Sequence, residues 1–271
     1  MHGPLDWART RTVVFDVDGT IYSQPRMHLR MLAAILVECV RTGDAGLALT
    51  LRSFRRHRAA LGISGTEDFV NRQYDLTARS RRCPPEEVRR VVAEWIERRP
   101  LAFLADCMYP GVDRLFQALR ASGRTIGILS DYPAREKIAA MGLAADIVVS
   151  ATDPEIGRLK PDPRGLAYIL EQTGTPAQAC LMIGDRVFQD GGVASRCGVR
   201  ALIRSHRAHP QYDTFRSYGD SIFRPLLGQT PQAVNAEAEK CDRTCSASIR
   251  RPDSRTPLRE RSSDPGNNSR C

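Results

Sequence analysis

The sequence predicts an α/β protein built on a parallel sheet, with an all-helical block inserted after the first strand. Two observations carry the prediction. From residue 107 onward, short apolar, β-branched runs alternate with helix-length amphipathic segments, the order required by a parallel sheet with helices on both faces. Between residues 25 and 100 that alternation stops and only helical periodicity is found. A length of 271 residues, 42% hydrophobic and 26% charged, suits one globular core of ordinary size plus an insertion.

The first strand is VVFDVD at 13–18, an apolar run that ends in two carboxylates. Met31, Leu32, Ile35, Leu36 and Val40 then form a helical stripe, and RSFRRHRAALG and TEDFVNRQYDLTARS read as two further helices. Pro84-Pro85 opens a fourth, carrying Val88, Val91, Val92, Trp95 and Ile96. The remaining strands are TIGILS at 125–130, DIVVS at 146–150, CLMIGD at 180–185 and VRALI at 199–203. The segments around them, GVDRLFQALRASG, PAREKIAAMG, PDPRGLAYILEQTG and DGGVASRCG, have helix length, and in the third Leu166, Ile169 and Leu170 share a face. The expected domains are a sheet core of residues 1–22 and 106–228 and a helical block of residues 23–105. In 229–271 large apolar residues almost vanish, so this segment cannot offset its ordering entropy and is expected to be a disordered tail.

The opening residues lack the apolar run of a secretory signal, and MLAAILVECV at 31–40 is far shorter than the roughly 20 residues that span a bilayer. A cytoplasmic protein without membrane insertion is expected. Eight scattered cysteines do not resemble a secreted disulfide framework, and the lone Cys241/Cys245 pair lacks the partners of a zinc site. The net charge of +9 comes from 37 arginines and only three lysines, without the aromatic interleaving of a nucleic-acid surface, so no nucleic-acid partner is expected. His206 and His209 read as a surface loop, Trp7 and Trp95 as packing residues, and Cys107 and Cys197 as small buried hydrophobes.

Placed on this map, the polar residues converge. Asp16 and Asp18 lie at the end of the first strand, Ser130 at the end of TIGILS and Asp185 at the end of CLMIGD. Ligands of open parallel sheets bind outside these carboxyl ends. Lys160, in GRLKPDP, joins from the loop before a helix. Four carboxylates, Asp16, Asp18, Asp185 and Asp190, would repel one another without a cation, and carboxylate oxygens suit Mg2+. A phosphoryl group would add more negative charge, to be met by Lys160, the Ser130 hydroxyl, backbone amides and the metal together.

In order and spacing, DVDGT at 16–20, LSD with Ser130, GRLKPDP with Lys160 and GDRVFQD at 184–190 resemble the four motifs of the haloacid dehalogenase superfamily. The match runs from about residue 11 to residue 204, and the helical block resembles the cap of the phosphoglycolate phosphatase-like members. The resemblance implies a Rossmann-like core with Asp16 as the nucleophile that accepts the phosphoryl group. It implies Asp18 as general acid and then base, with its carbonyl on the metal. Asp185 would bind Mg2+ beside Asp16, with Asp190 orienting the ligand shell. Ser130 would hydrogen-bond the phosphoryl group, Lys160 would keep Asp16 ionised, and the cap would close over the site. Arg186 and the Gly191-Gly192 pair depart from the family pattern, which bears on the substrate rather than on the chemistry.

The expected function is Mg2+-dependent hydrolysis of a small phosphorylated metabolite through an aspartyl phosphate. A phosphotransferase such as a sugar phosphomutase would share every residue named. A dehalogenase would have no need of the metal, and a protein that only binds a phosphorylated ligand would not need Asp18. The helical segment 21–105 holds 15 arginines and 9 acidic residues, with clusters at 52–58 and 79–83. Its arginines read as a solvated face, with a grip on a second anionic group as the alternative. The leaving group is not legible.

Overall fold

The structure is a computed structural model and describes residues 5–43 and 45–228. The expected disordered tail and the Cys241/Cys245 pair therefore lie outside the described residues. Strand β1 (Thr12–Phe15) is followed by helices α1 (Gln24–Thr42), α2 (Gly46–Ser64), α3 (Phe69–Arg81), α4 (Pro85–Val92) and α5 (Leu101–Cys107). A wider π-helical segment, Ala93–Arg98, lies between α4 and α5. The alternating part comprises α6 (Val112–Ala121), β2 (Thr125–Ser130), α7 (Arg135–Ala140), β3 (Ile147–Ser150), α8 (Arg164–Thr173), β4 (Cys180–Gly184), α9 (Gly192–Arg196), β5 (Arg200–Arg204), β6 (Asp213–Phe215) and α10 (Arg224–Leu227).

All strand pairs are parallel, in the order β3-β2-β1-β4-β5-β6. Strand β1 sits between β2 and β4, with Phe15 level with Ile128 on one side and Ile183 on the other. The chain runs outward from β1 to β3 and then crosses to β4, so β1 flanks the switch point where such sheets bind ligands. The period-2 rule assigns the faces. Val13, Phe15, Ile126, Ile128, Leu181 and Ile183 point into the cluster shared with the helical block, α6 and α7. Val14, Leu129, Met182 and Ile203 point into the opposite cluster with Leu166 and Ile169 of α8. Each such side chain contributes roughly 1.5–3 kcal/mol relative to exposure.

The sequence expectations need four corrections here. A sixth strand, β6, was not anticipated; it is three residues long, too short to show an alternating pattern. Within α1, Met27 and Met31 are buried, whereas Leu32, Leu36 and Val40 of the expected stripe are exposed. That helix is apolar on most of its circumference, so spacing alone could not choose the inward face. Cys107 is buried as expected, but Cys197 is half-buried, its thiol against the Pro163 carbonyl at 3.6 Å. The helical turn expected from Asp190 begins earlier, at Val187.

The expectations for individual packing residues hold. Trp7 and Trp95 are buried, the described cysteines are free, and His206 is exposed while His209 stacks on Tyr212. Among the described residues no helix is long and apolar enough to cross a membrane.

The helical block meets the sheet layer through Leu61 and Phe69, which pack on Ala151 and Leu159. Polar struts span the same boundary: Arg58 of α2 donates to the Asp131 carbonyl, and Arg158 donates to the Gly65 carbonyl and the Glu67 carboxylate.

Candidate active site

Ladder bonding carries the chain one residue past β1, because the Asp16 amide still donates to the Ile183 carbonyl at 2.9 Å. The chain then turns sharply, with Ile21 N–H bonded to the Val17 carbonyl at 3.0 Å. Gly19 makes the turn at φ +98°, and a Cβ there would lie 2.2 Å from Asp185 Oδ2. Glycine is required twice over, by the backbone angle and by the close approach of the β4 loop. The turn leaves Asp16 and Asp18 3% and 6% exposed.

Lys160 reaches this pair from the loop before α8. Its ammonium lies 2.5 Å from Asp16 Oδ1 and 2.6 Å from Asp190 Oδ1, and it donates to the Leu129 carbonyl at 3.4 Å. Asp131 fixes the loop by accepting the Lys160 backbone N–H at 3.0 Å. Burial alone would lower the lysine pKa, but facing Asp16 and Asp190 raise it, so the ammonium stays charged. For Asp16 the balance runs the other way. Burial and the charges of Asp190, Asp185 and Asp18 outweigh Lys160 and push its pKa up to about 8. The second oxygen of Asp16 accepts from the Thr20 hydroxyl at 2.9 Å.

Asp18 has a different shell, which sequence reasoning missed. Lys137 of α7 lies 2.6 Å from Asp18 Oδ1, and the Tyr22 hydroxyl donates to the same oxygen. Burial would raise the Asp18 pKa, yet the charge and hydrogen bond of Lys137, with the Tyr22 bond, lower it below the ordinary value. Neighbouring carboxylates are thus driven apart: Asp16 toward protonation in the metal-free protein, Asp18 toward ionisation. One signal could have found Lys137. Two of the chain's three lysines are at 137 and 160, and both are buried against carboxylates of the first motif.

Asp185 and Asp190 complete the cluster. Asp190 is fully engaged, Oδ1 with Lys160 and Oδ2 with the backbone N–H groups of Asp185 and Arg186 at 3.0 and 2.9 Å. Asp185 Oδ1 is buried without a hydrogen-bond partner, and burial with the Asp190 charge pushes the Asp185 pKa up to about 6. One oxygen from each of Asp16, Asp185 and Asp190 lies within 4.8 Å of the others. An orphaned carboxylate oxygen among crowded anions fits a hard divalent cation. Ser130 ends β2 as expected; its buried hydroxyl accepts the Tyr132 N–H at 3.2 Å and keeps its own proton to donate.

Above the cluster is a cavity of about 470 Å3 between the helical block and the sheet, within the range of small-molecule sites. Asp18, Lys137 and Lys160 line it, as do Arg186 and Tyr132. Asp16, Ser130 and Asp185 are not among its lining residues. Arg186 is half-buried and 3.7 Å from Asp185 Oδ1. The Gly191-Gly192 pair has a steric reason: Cβ atoms there would lie 2.8 Å from the Tyr212 ring and 3.0 Å from Pro161.

A family model for haloacid dehalogenase-like hydrolases matches residues 10–198. The chain belongs to this family. Within it, the chain is 30% identical over 251 residues to the phosphoglycolate phosphatase of Rhodospirillum rubrum, an alignment covering 82% of this chain and 96% of that protein. It is 25% identical over 238 residues to the phosphoglycolate phosphatase of Xylella fastidiosa, covering 83% and 96%. In fold it is similar to the haloacid dehalogenase-family hydrolase YfnB of Bacillus subtilis, solved bound to magnesium, at a TM-score of 0.58, 16% identity and coverage of 80% and 99%. This hydrolase therefore carries the family's α/β fold, with its acidic cluster at the carboxyl ends of the central strands.

Proposed function

We propose that this hydrolase is a Mg2+-dependent phosphatase of small phosphomonoesters that works through a phosphoryl group carried on Asp16. The observation that carries the reading is the pairing of each first-motif aspartate with its own buried lysine, Asp16 with Lys160 and Asp18 with Lys137. The phosphoglycolate phosphatase relatives support the substrate class.

Asp16 attacks phosphorus as the ester oxygen departs, and the carboxylate gains a phosphoryl group while the leaving oxygen takes a proton from Asp18. Water then attacks the aspartyl phosphate, Asp18 takes a proton from it, and the P–O bond to Asp16 breaks to free phosphate. Lys137 and Tyr22, by holding Asp18 ionised, favour its second role over its first. Ser130 and Lys160 would bind phosphoryl oxygens, and the helical block would act as the cap that keeps bulk water out. Asp16, Asp185 and the Asp18 carbonyl would hold Mg2+, with Asp190 orienting the shell. When bound, the cation supplies charge neutralisation that lets an anionic carboxylate approach an anionic phosphoryl group.

The direct test is release of phosphate from an aryl phosphate by the purified chain. Turnover with Mg2+, abolished by chelator and restored by fresh metal, is expected; none with the folded, Mg2+-supplied protein would overturn the reading. The pKa values give a second expectation. Cation binding must displace the protons that Asp16 and Asp185 hold up to about 8 and about 6. Mg2+ affinity should therefore rise with pH between 6 and 8, about tenfold per unit for each proton displaced. Calorimetric titrations in buffers of different ionisation enthalpy would count those protons, and a pH-independent affinity would contradict the assignment.

A further inference from the structure

Helix α1 is apolar on both sides, and the fold covers only one of them. Met27 and Met31 are buried and line the catalytic cavity. On the opposite side Leu29, Leu32, Leu36, Val37 and Val40 are 70%, 55%, 55%, 69% and 80% exposed, with Ala33 exposed among them. Positions 29, 32, 33, 36, 37 and 40 lie on one helix face. The charges at its flanks are engaged within the same chain: Arg30 pairs with Asp106 at 2.8 Å and Arg41 with Glu38 at 2.6 Å.

A helix that is apolar all round is normally covered all round. Five large apolar side chains at this exposure make a contiguous patch on the order of 500 Å2, a size that marks interaction surfaces. Two copies meeting through it remove on the order of 1,000 Å2, the lower limit of a specific interface. The chain's own remaining length does not supply the cover. Residues 229–271 hold Val234, Ile249 and Leu258 as their only large aliphatic residues and no aromatic residue or methionine. A lipid surface is met by helices with a strongly basic polar face, whereas here the opposite face is inside the protein and two of the flanking arginines are paired.

The face is also complementary to itself. In an antiparallel pair of α1 helices with a two-fold axis through the middle of the stripe, Leu29 of one copy meets Val40 of the other, Leu32 meets Val37 and Leu36 meets Ala33. Each leucine then opposes a smaller side chain, as an isologous contact requires. Arg26 falls beside the other copy's Gly43, where the helix ends and its carbonyls favour a cation. A chain of net charge +9 repels its own kind, and an uncharged stripe is where two copies can approach.

From this we infer that the chain forms a two-fold dimer through the exposed face of α1, packed antiparallel against α1 of a second copy. The dimer joins the helical blocks back to back, and the catalytic cavity lies on the opposite side of α1. The inference is independent of the reaction proposed above.

The test is the mass of the full chain in solution. Sedimentation from about 0.5 to about 100 μM is expected to show a reversible rise from the chain mass of 30.1 kDa toward twice that value. Leu36→Glu and Val40→Glu each place an unpaired charge in the contact and should weaken the dimer about a hundredfold or more. Both positions are exposed in the single chain, so circular dichroism and the melting temperature of the dilute protein should match the parent. Leu76→Glu, at an exposed position of α3, should leave the dimer unchanged. A chain that stays at 30.1 kDa throughout would overturn the inference. So would a dimer that survives both α1 variants or is weakened equally by Leu76→Glu, or a monomer that sediments instead with phosphatidylcholine or phosphatidylserine vesicles.

Discussion

Asp16→Asn is expected to abolish hydrolysis, lowering kcat by on the order of 10^4-fold or more, because loss of a nucleophile removes the covalent route altogether. The same substitution should leave the fold intact and, with chelator present, make it slightly more stable. Asparagine has nearly the same shape, so the β1 turn keeps its packing, although its one acceptor oxygen serves either the Thr20 hydroxyl or the Lys160 ammonium and not both. It also removes the cost of a buried carboxyl that burial and the charges of Asp190, Asp185 and Asp18 hold toward protonation, up to about 8, while the unfolded chain has lost that proton. Lys160 retains Asp190 at 2.6 Å as its counterion. A lost activity with an equal or raised melting temperature, and a weakened response of that temperature to Mg2+, is what a reactive carboxylate held at the expense of stability would give. Retained turnover would assign the nucleophile elsewhere. A collapsed fold would mean that the Asp16–Lys160 pair is chiefly structural.

How much of this could be read from the sequence depended on whether a residue's role was local. The five strands longer than three residues were legible, because each alternates between two apolar clusters. Asp16, Ser130 and Asp185 were legible for the same reason, since each follows or ends such a strand. Lys160, 144 residues from Asp16, was legible only through its motif, and residues with a long-range approach and no motif were not legible. Lys137 is the second half of an ordinary Glu-Lys pair on a short helix, and only the fold carries it across 119 residues to Asp18. Arg58 is one of four arginines in RSFRRHR, and nothing local separates it from exposed Arg55 and Arg56. The faces of α1 were illegible because both are apolar, so the choice was made by what packs on Met27 and Met31.

Lys160→Met carries the largest expected cost to stability. The ammonium is 4% exposed and is the counterion of both Asp16 and Asp190, at 2.5 and 2.6 Å. Methionine fills much of the same space but leaves those carboxylates facing each other. Removing one partner of a buried pair typically costs 3–5 kcal/mol, so about that loss is expected in the metal-free protein. Its pH dependence is set by the direction of the shifts. Lys160 is the influence that lowers the Asp16 pKa, and without it Asp16 must rise further above its present value of about 8. Native Asp16 then holds a proton that the unfolded chain, with an ordinary aspartate value of 3.8, has already lost. Between those two values the native state binds more protons, so stability falls as pH rises. The variant should be most stable near pH 5 and lose stability toward pH 8, in parallel with the parent at first and more steeply only near pH 8, where the parent's Asp16 begins to lose its proton. Mg2+ should recover part of the loss at the upper end, since a cation on Asp16 and Asp185 replaces some of the missing positive charge. Urea denaturation at pH 5 and pH 8, with metal and with chelator, measures all of this. A variant whose own stability does not fall between pH 5 and pH 8, and whose loss is indifferent to metal, would reduce Lys160 to a packing residue and remove the electrostatic basis of the proposed site.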